Sequence, residues 1–413
     1  MRIVRHRLQR GRQVKRMIGR HERNGVPEIP GVGFMSILIL PFILILLYIL
    51  ERVLYAKFWS KGLSSKLAFQ SVPATEGDTA VLTEVIANRG WLPLPVLQVN
   101  FRLEKGLRVL GAQSASVSDL TNMTELFSLM PWQQVTRELT LDCRKRGYYR
   151  IVSNTLVAGD LFTSLTYHAE TGQETELYVY PRFIESPLME VPFSYLMGEV
   201  RSRQMLYEDA FAFRGIRDYA PTDPMGRINW KASARTGELK VNLREYTAGQ
   251  QVMILLNVEE PLLQFPDVIL EDSIRYALTL AAMLLEEQIP VGILSNGQDV
   301  VSGGDLKIEP GSSPGHLKVI CEGLSRIDLG RKEEDFAPYL RREVLEQEES
   351  RTGGGITFVL ISSSRRVPTA AAAQELADRQ GRLLWICPIT ATMDQTPVEG
   401  EGIEMMVEVH SGK

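Results

Sequence analysis

"QQVMILLNV" at residues 250–258 is a short apolar run, and a long segment, "DVILEDSIRYALTLAAMLLEEQ", follows it at 267–288. The second segment is apolar around most of a helical circumference, which indicates a buried helix. Another short apolar run, "PVGILSN", comes next at 290–296. Strands that alternate with helices in this way predict a mostly parallel sheet with helices on both faces.

The same alternation continues toward the C-terminus. Helix signals lie near 314–325 and 333–348, and they precede the apolar run "GITFVLIS" at 355–362. A helical segment, "TAAAAQELADRQ" at 369–380, and a strand, "RLLWICPI" at 382–389, then follow. The sequence therefore predicts a doubly wound α/β domain over residues 246–413.

Upstream of this domain, apolar residues recur at every second position. In "VLQVNFRL" at 96–103 the side chains of one set face one way: Leu97, Val99, Phe101 and Leu103. Gln98, Asn100 and Arg102 face the other way, as in a half-buried strand. Turn signals such as "EGD" and "AGD" separate several such strands. This pattern predicts an all-β sandwich over residues 66–185.

The N-terminal part contains "GFMSILILPFILILLYIL" at 33–50, a run of 18 residues without a charge. That length is about the minimum for a helix that crosses a bilayer, and it exceeds the apolar core of a cleavable signal peptide. We therefore expect a transmembrane helix over 33–58 and a single-pass protein of the cell membrane. Aromatic residues at its end fit an interfacial belt: Tyr48, Tyr55, Phe58 and Trp59.

Charge does not decide which side of the membrane the soluble part faces. The basic tail at 1–32 carries nine Lys and Arg residues, which favours a cytoplasmic tail. The 20 residues on each flank of the span, however, carry four such residues apiece. The membrane face stays open at this point.

Composition argues against several classes of partner and cofactor. The net charge of −4 and the pI near 5.9 give no general attraction for polyanions, so nucleic acid is not an expected partner. Cys143, Cys321 and Cys387 lie far apart without a C-x-x-C pair, which indicates neither a zinc site nor a disulfide framework. The sequence also lacks the glycine-rich motifs that bind nucleotide phosphates, so no cofactor is expected.

The segment "RDYAPTDPMGRINWKASARTGELKV" at 217–241, called the seam motif below, lies in a predicted connector at 186–245. Together with the order of span, β domain and α/β domain, it resembles the bacterial membrane proteins grouped as domain-of-unknown-function family 58. The resemblance covers about residues 33–390. The family motif reads roughly R-x-Y-x-x-G-D-x-x-R-x-I-x-W-x-x-x-A-R, and the matching residues are Arg217, Tyr219, Asp223, Ile228, Trp230, Ala234 and Arg235. Thr222 replaces the family's glycine, and Gly226 replaces its arginine with Arg227 next to it.

The resemblance implies that the α/β domain is similar to a von Willebrand factor A domain. Such domains often hold Mg²⁺ through a D-x-S-x-S loop after the first strand and an aspartate after a later strand, since a hard cation prefers oxygen ligands. The corresponding positions here are Asn257, Glu259, Pro261 and Ser362. The resemblance therefore implies a degenerate site, and we expect no bound metal.

Two interpretations of the seam motif stay open. In the first, Asp223 caps a helix begun by Pro224, Gly237 ends it, and Trp230 packs between the domains. A charge lattice would hold the domains together, made of Arg214, Arg217, Arg227 and Arg235 with Asp218 and Asp223. In the second, the arginines and Trp230 bind an anionic peptide, a lipid headgroup or a carboxylate of a partner.

Two functions from different classes follow. The first is a membrane-anchored, non-enzymatic interaction or assembly protein. The family resemblance implies a MoxR-type AAA+ ATPase as partner and, in some relatives, a transglutaminase-like membrane protein. A cytoplasmic ATPase reaches the α/β domain only if that domain faces the cytoplasm. The second is a cell-envelope hydrolase or transferase, which requires the carboxylates of Glu259, Glu260 and Asp223 to converge in one pocket.

Overall fold

The computed structural model describes most of the chain outside the N-terminal tail and a few internal segments. The described residues are 4–7, 33–70, 73–104, 106–110, 120–162, 165–206, 208–220, 225–246, 251–259, 266–330, 334–345, 356–391, 393 and 395–409. The chain divides into two compact units, Met1–Val179 and Tyr180–Lys413.

Helix α1 spans Gly33–Phe58 and contains Pro41. Within the described residues it is the one helix long and apolar enough to cross a membrane, over Ile39–Phe58. Most of its apolar side chains from Ile39 to Val53 are exposed in the chain alone. The predicted N-terminal helix is confirmed in extent and in apolar character.

The first unit also contains the strands β1–β10. Their bounds are β1 Val4–Arg7, β2 Leu63–Phe69, β3 Ala74–Thr75, β4 Thr79–Asn88, β5 Leu94–Glu104, β6 Leu107–Val109, β7 Leu120–Leu129, β8 Gln133–Cys143, β9 Gly147–Gly159 and β10 Thr166–Tyr180. One described sheet has the order β1-β8-β4-β2, with β6 also paired to β8, and the other has the order β3-β10-β9-β5-β7.

The two sheets share one apolar core. Leu82 of β4 and Leu139 of β8 come from the first sheet, and Leu97 and Val99 of β5 with Leu156 of β9 come from the second. These side chains alternate with more exposed neighbours along each strand, as the period of two requires. Burial of this apolar surface holds the layers together, and the predicted β-sandwich is confirmed.

The C-terminal end of α1 and the residue after it belong to the same core. Tyr55 and Trp59 are buried among the sandwich side chains. The Tyr55 hydroxyl donates a 2.7 Å hydrogen bond to the carbonyl of Pro93, and the Trp59 ring stacks on Tyr167 at 5.8 Å. The expectation that Tyr55 and Trp59 lie in an interfacial belt is therefore wrong, because protein covers both side chains.

The second unit contains the remaining elements. Its helices are α2 Ser186–Leu206, α3 Trp230–Thr236, α4 Pro266–Glu286, α5 His316–Ser325, α6 Phe336–Leu340 and α7 Val367–Gln380. Its strands are β11 Glu208–Asp218, β12 Lys240–Tyr246, β13 Gln251–Leu256, β14 Val291–Gln298, β15 Asp305–Gly311, β16 Ile356–Ile361, β17 Leu383–Ile389 and β18 Ile403–Val409. Short 3-10 and π turns lie at Met225–Arg227 and Arg341–Leu345.

The large sheet of this unit has the order β15-β14-β13-β16-β17-β18 in the described residues. All its neighbouring pairs are parallel except β14 with β15. Counted along the chain, this is the 3-2-1-4-5-6 order of a doubly wound sheet. The predicted parallel sheet is confirmed, whereas the sequence pattern does not indicate the outer strands β15 and β18.

Helices cover both faces of this sheet. Val252, Ile254 and Leu256 of β13 enter the core formed with α2, α4 and α5. Met253 and Leu255 enter the opposite core, formed with α6 and α7. A strand buried on both faces reads as a continuous apolar run, which is why residues 250–258 show no alternation.

Helix α2 occupies part of the expected connector. Met189, Leu196 and Val200 are buried in the core that also contains α4 and β13. The backbone N–H of Ile184, just before α2, donates a 3.0 Å hydrogen bond to the Thr279 hydroxyl of α4. Residues 186–206 thus pack as a layer of the α/β unit.

Candidate functional site

The carboxyl ends of β13 and β16 meet at the point where the strand order reverses, which is where doubly wound sheets bind ligands. Asn257 follows β13 and Ser362 follows β16, and the register pairs Leu256 with Ile361 just before them. The Asn257 side-chain Nδ2 donates a 2.9 Å hydrogen bond to Ser362 Oγ. Two of the four residues predicted at the degenerate metal site are thus in direct contact.

The side chain and the backbone N–H of Asn257 both form hydrogen bonds with neighbouring residues. Its Oδ1 accepts a 2.8 Å hydrogen bond from the backbone N–H of Glu259, which closes a local turn. Its backbone N–H donates to the carbonyl of Ile361 at 2.9 Å. The residue is 1% exposed, so these bonds form without competition from bulk water.

Ser362 is fixed in the same way. Its hydroxyl donates to the carbonyl of Ser364 at 3.1 Å, and its own carbonyl accepts a 2.9 Å hydrogen bond from Trp385 Nε1. Its backbone N–H donates to the carbonyl of Ile386 at 3.0 Å. These bonds join the ends of β16 and β17, so the edge is a set of linked strand ends.

Glu259 carries the one described carboxylate among the predicted metal-site residues, and it forms an ion pair with Arg366. Glu259 is nearly buried, whereas the Arg366 side chain is partly exposed. Arg366 stands immediately before α7, so the helix position brings its guanidinium to this edge. A bond between ionised partners at a poorly solvated place is stronger than one between neutral groups.

The residues present do not fit a Mg²⁺ site. Mg²⁺ prefers carboxylate oxygens in octahedral geometry, and the described predicted ligands supply only Glu259, which already faces a guanidinium. Asn257 presents its N–H₂ group to Ser362, and Pro261 lies outside the described residues. The hydroxyls of Ser363 and Ser364 are buried and lack a partner within the described chain, but neutral hydroxyls alone do not hold this cation.

Asn296 of β14 is a residue of this edge that sequence reasoning missed. It is fully buried, and its Oδ1 accepts a 3.0 Å hydrogen bond from the N–H of Val258. Its Nδ2 donates to the carbonyl of Glu334 at 2.9 Å. The polar pair Ser-Asn at the end of the apolar run "PVGILSN" was the available signal. The partner of Asn296 depends on the β13–β14 pairing, which the sequence does not give.

The seam motif forms an antiparallel strand pair with an insertion. Arg217 of β11 pairs with Val241 of β12, and the 3-10 turn and α3 lie between the strands. Asn229 caps α3 by accepting a 2.9 Å hydrogen bond from the N–H of Ala232. Gly237 ends it with φ of 75°, as predicted. The predicted start at Pro224 is wrong for this helix, since α3 begins at Trp230; Asp223 and Pro224 lie outside the described residues.

Trp230 is 66% exposed. The interpretation that packs this side chain between the domains stays a prediction; the α/β unit itself does not pack it, because the seven-residue α3 turns its other side to β12. The buried side of α3 carries Ser233, whose hydroxyl accepts a 2.9 Å hydrogen bond from the N–H of Lys240 in β12. The helix is thus held on β12 through a small polar side chain.

Part of the predicted charge lattice lies in the described residues, and there Asp218 is paired with a lysine. Asp218 forms an ion pair with Lys240, its cross-strand neighbour, and Arg217 donates a 2.9 Å hydrogen bond to the carbonyl of Asp218. Arg235 is exposed, and Tyr219 donates its N–H to the carbonyl of Leu239 at 3.0 Å. Only the backbone is described for Arg214 and Arg227. The partner of Asp218 is therefore Lys240, its neighbour across the strand pair, and not one of the predicted arginines.

A polar groove of about 800 Å³ lies on the outer face of the β3-β10-β9-β5-β7 sheet. Side chains that line it are Gln98, Asn100, Arg102, Thr124, Arg150 and His168. The alternation of β5 indicated that the first three face outward. The sequence did not show that β7, β9 and β10 add to the same surface. Such amides, hydroxyls and charges can bind a polar chain segment, and the groove is a second candidate site.

Comparison with protein-family models finds no match, and comparison with curated proteins finds none either. Among solved structures, the chain is similar to the full-length major pilin SpaD of Corynebacterium diphtheriae at 10% identity and a TM-score of 0.22, covering 28% of this chain and 34% of the pilin. The chain thus spans about a third of that pilin's length. It is also similar to a cohesin module from a family 33 glycoside hydrolase of Clostridium perfringens, at 8% identity and a TM-score of 0.22, covering 29% and 98%. Likeness at these TM-scores carries no conclusion about function.

Proposed function

We propose that the protein is a membrane-anchored, non-enzymatic interaction or assembly factor. Its α/β unit is similar to a von Willebrand factor A domain with a degenerate cation site, and a MoxR-type AAA+ ATPase is its partner. The observation that carries this proposal is the Glu259–Arg366 ion pair beside the Asn257–Ser362 hydrogen bond. The groups that would bind a ligand at this edge bind each other instead.

The surroundings of this ion pair support a protein partner. Val367, directly after Arg366, is 83% exposed, and Arg365 beside it reaches the carbonyl of Thr396 at 2.8 Å. Arginine and apolar side chains together are common at protein interfaces, where arginine combines hydrogen bonding with apolar contact. The carboxyl edge therefore presents an exposed apolar side chain next to two arginines, Arg365 and Arg366.

The anchoring part of the proposal relies on α1. Its apolar side chains are exposed in the chain alone, and a helix that is apolar on all sides is typically buried in lipid. Tyr55, in the last turn of α1, belongs to the core of the β domain, so cleavage at the end of the helix would remove a core side chain. This favours a permanent anchor over a cleaved leader.

The pairing of β1 with β8 is not compatible with a membrane-spanning α1. β1 precedes α1 in the chain, yet it pairs with a strand of the β domain that follows α1. A helix that crosses a bilayer places its two ends on opposite sides. In the proposed anchored state β1 is therefore separated from β8, and residues 133–136 of β8 form an open edge.

The proposed ATPase is cytoplasmic, so the proposal places both soluble units in the cytoplasm and the basic tail outside. A transglutaminase-like membrane protein is a further proposed partner. Both partners follow from the resemblance of the seam motif to family 58. The protease accessibility of the soluble units in inverted vesicles, compared with intact cells, tests this orientation.

Binding of the ATPase is tested with the full chain in lipid nanodiscs and the purified MoxR-type ATPase of the same organism. We expect ATP-dependent binding that Val367→Glu weakens, because it puts a negative charge on the proposed contact surface. Val319→Glu on α5 is the matched control, since Val319 is also exposed but lies on another element. Absence of binding, or equal loss in both variants, contradicts the proposal.

A further inference from the structure

Helix α1 is joined to the turn that follows β9. The backbone N–H of Leu161 donates a 3.0 Å hydrogen bond to the Glu51 carboxylate of α1. The ring of Phe162 lies 5.8 Å from the ring of Tyr48, two turns nearer the apolar part of the helix than Tyr55. The turn therefore reaches up the helix toward the end of its apolar run.

The length of α1 fixes where that turn lies relative to a bilayer. Residues 33–50 rise about 27 Å at 1.5 Å per residue, close to the roughly 30 Å thickness of the hydrocarbon. Tyr48 is in the last turn of this run, and Glu51 and Arg52 are the first charged residues after it. Phe162, level with Tyr48, is therefore level with the membrane–water interface.

The side chains at this level are apolar and exposed. Phe162 is 64% exposed and Leu161 is 52% exposed, although the turn itself is tied to the helix. Aromatic rings are favoured at the headgroup level of a bilayer. Because α1 itself brings the bilayer to this height, lipid is the partner that covers these side chains.

Charged residues of both signs, Glu51 and Arg52, lie at the same level. The Arg52 guanidinium lies 5.6 Å from the Tyr48 ring centroid, beside Phe162's contact. Lys57 and Lys61 lie farther from the apolar run and approach the Phe58 ring at 5.7 and 4.7 Å. An arginine next to an apolar tip fits the boundary between hydrocarbon and headgroups, where its charged end stays in water.

We infer that Leu161 and Phe162 form a membrane-docking tip of the β domain, inserted at the interface beside α1. The Glu51–Leu161 hydrogen bond holds the tip at that depth. Together with Tyr55 and Trp59 in the core, it gives the β domain one fixed orientation on the membrane. This inference relies on the proposed anchoring by α1.

Trp91 provides a matched control within the same unit. It is 53% exposed and also contacts α1, with its ring 6.0 Å from that of Phe58. Phe58 is ten residues after Tyr48, which is about 15 Å farther along the helix from the bilayer. Both Trp91 and Phe162 are exposed aromatic residues that contact α1. We expect Trp91 to lie in water and Phe162 to lie in lipid.

The test uses nitroxide labels on single introduced cysteines in the full chain, in nanodiscs of phosphatidylcholine and phosphatidylglycerol at a ratio of about 3 to 1. The native cysteines Cys143, Cys321 and Cys387 are buried, so the reagent labels the introduced sites. The variants are Phe162→Cys, Trp91→Cys and, within the apolar run, Ile43→Cys. Power-saturation electron paramagnetic resonance compares collisions with oxygen, which enters lipid, and with a neutral nickel chelate, which stays in water.

We expect the oxygen-to-nickel collision ratio at residue 162 to be several-fold higher than at residue 91, with residue 43 higher still. If residue 43 lies in hydrocarbon but residue 162 is as accessible to nickel as residue 91, the docking tip is contradicted while the anchor stands. If residue 43 is itself accessible to the nickel chelate, the anchoring proposal fails and the docking tip fails with it.

Discussion

The Asn257 side chain donates a 2.9 Å hydrogen bond to the Ser362 hydroxyl across the carboxyl ends of β13 and β16. Both residues are buried, and each also bonds to its own loop, through Glu259 N–H and through the carbonyl of Ser364. The bond joins two central strands at the place where a doubly wound sheet binds ligands. Hydrogen bonds between its own residues therefore stabilise this edge of the sheet.

Asn257→Ala should destabilise the α/β unit by about 1–3 kcal/mol, because it leaves the buried N–H of Glu259 without its acceptor. Chemical denaturation followed by tryptophan fluorescence measures this change. A free energy of unfolding unchanged by Asn257→Ala would show that the linked strand ends do not stabilise the unit.

Trp230→Ala should change the free energy of unfolding by only about 0.5 kcal/mol, as for most surface substitutions. Trp385→Ala is the matched comparison, since Trp385 is fully buried and also donates to the carbonyl of Ser362. It should cost about 3–5 kcal/mol. Thermal unfolding of the two variants measures this difference. A large loss of stability in Trp230→Ala would show that the Trp230 side chain is packed, as the first interpretation of the seam motif predicts.

Glu84 in β4 should make the β domain less stable as pH rises. Burial, reinforced by Glu125, raises the pKa of the Glu84 carboxyl to about 7, while Arg137 opposes the shift. The folded state thus retains the proton over a range where the unfolded state, with a pKa near 4.5, has lost it. Stability from this group is present at pH 4 and is lost as pH rises from about 4.5 to 7, by on the order of 3 kcal/mol.

Glu84→Gln should remove that slope and leave the β domain more stable than wild type at pH 8. Neither carboxylate oxygen of Glu84 has a hydrogen-bond partner in the described chain, so the neutral amide loses no bond there. Urea unfolding of both proteins between pH 4 and 8 provides the comparison. Parallel pH profiles for wild type and variant would contradict the raised pKa.

The separation of β1 from β8 in the anchored protein can be measured directly. Arg5 and Val135 are cross-strand partners in the described register, so cysteines at both positions are close enough to oxidise when the strands pair. We expect no disulfide from Arg5→Cys with Val135→Cys in native membranes. Val85→Cys with Thr136→Cys, partners in the β4–β8 pair, should cross-link as a positive control. Efficient cross-linking of residues 5 and 135 in membranes would place the tail and the β domain on one side.

Hydrophobic period predicted the β-sandwich and the parallel sheet because both depend on local alternation or on continuous apolar runs. The same reasoning could not tell what covers an apolar residue. Tyr55 and Trp59 looked like lipid-facing residues, since periodicity identifies burial but does not distinguish lipid from protein. Strands β15 and β18 lie at sheet edges, where half-exposed residues give a weaker pattern.

The candidate site was predicted in part. The resemblance to family 58 assigned Asn257 and Ser362 to one degenerate metal site, and the structure shows a hydrogen bond between them. The role of Arg366 depends on the start of α7, and that of Asn296 depends on strand register. The seam motif is polar and has no period, so the sequence could not show that Asp218 pairs with Lys240 or that Trp230 is exposed.

Calorimetric titration of the full chain with Mn²⁺ and Mg²⁺ tests the central claim most directly, since that claim is that the polar groups at the carboxyl edge bind each other. We expect no binding tighter than about millimolar in wild type, because Arg366 already neutralises Glu259 and Asn257 presents its N–H₂ group to Ser362. A micromolar site in wild type that Glu259→Ala abolishes, and that Glu375→Ala on the surface of α7 leaves intact, would contradict the account.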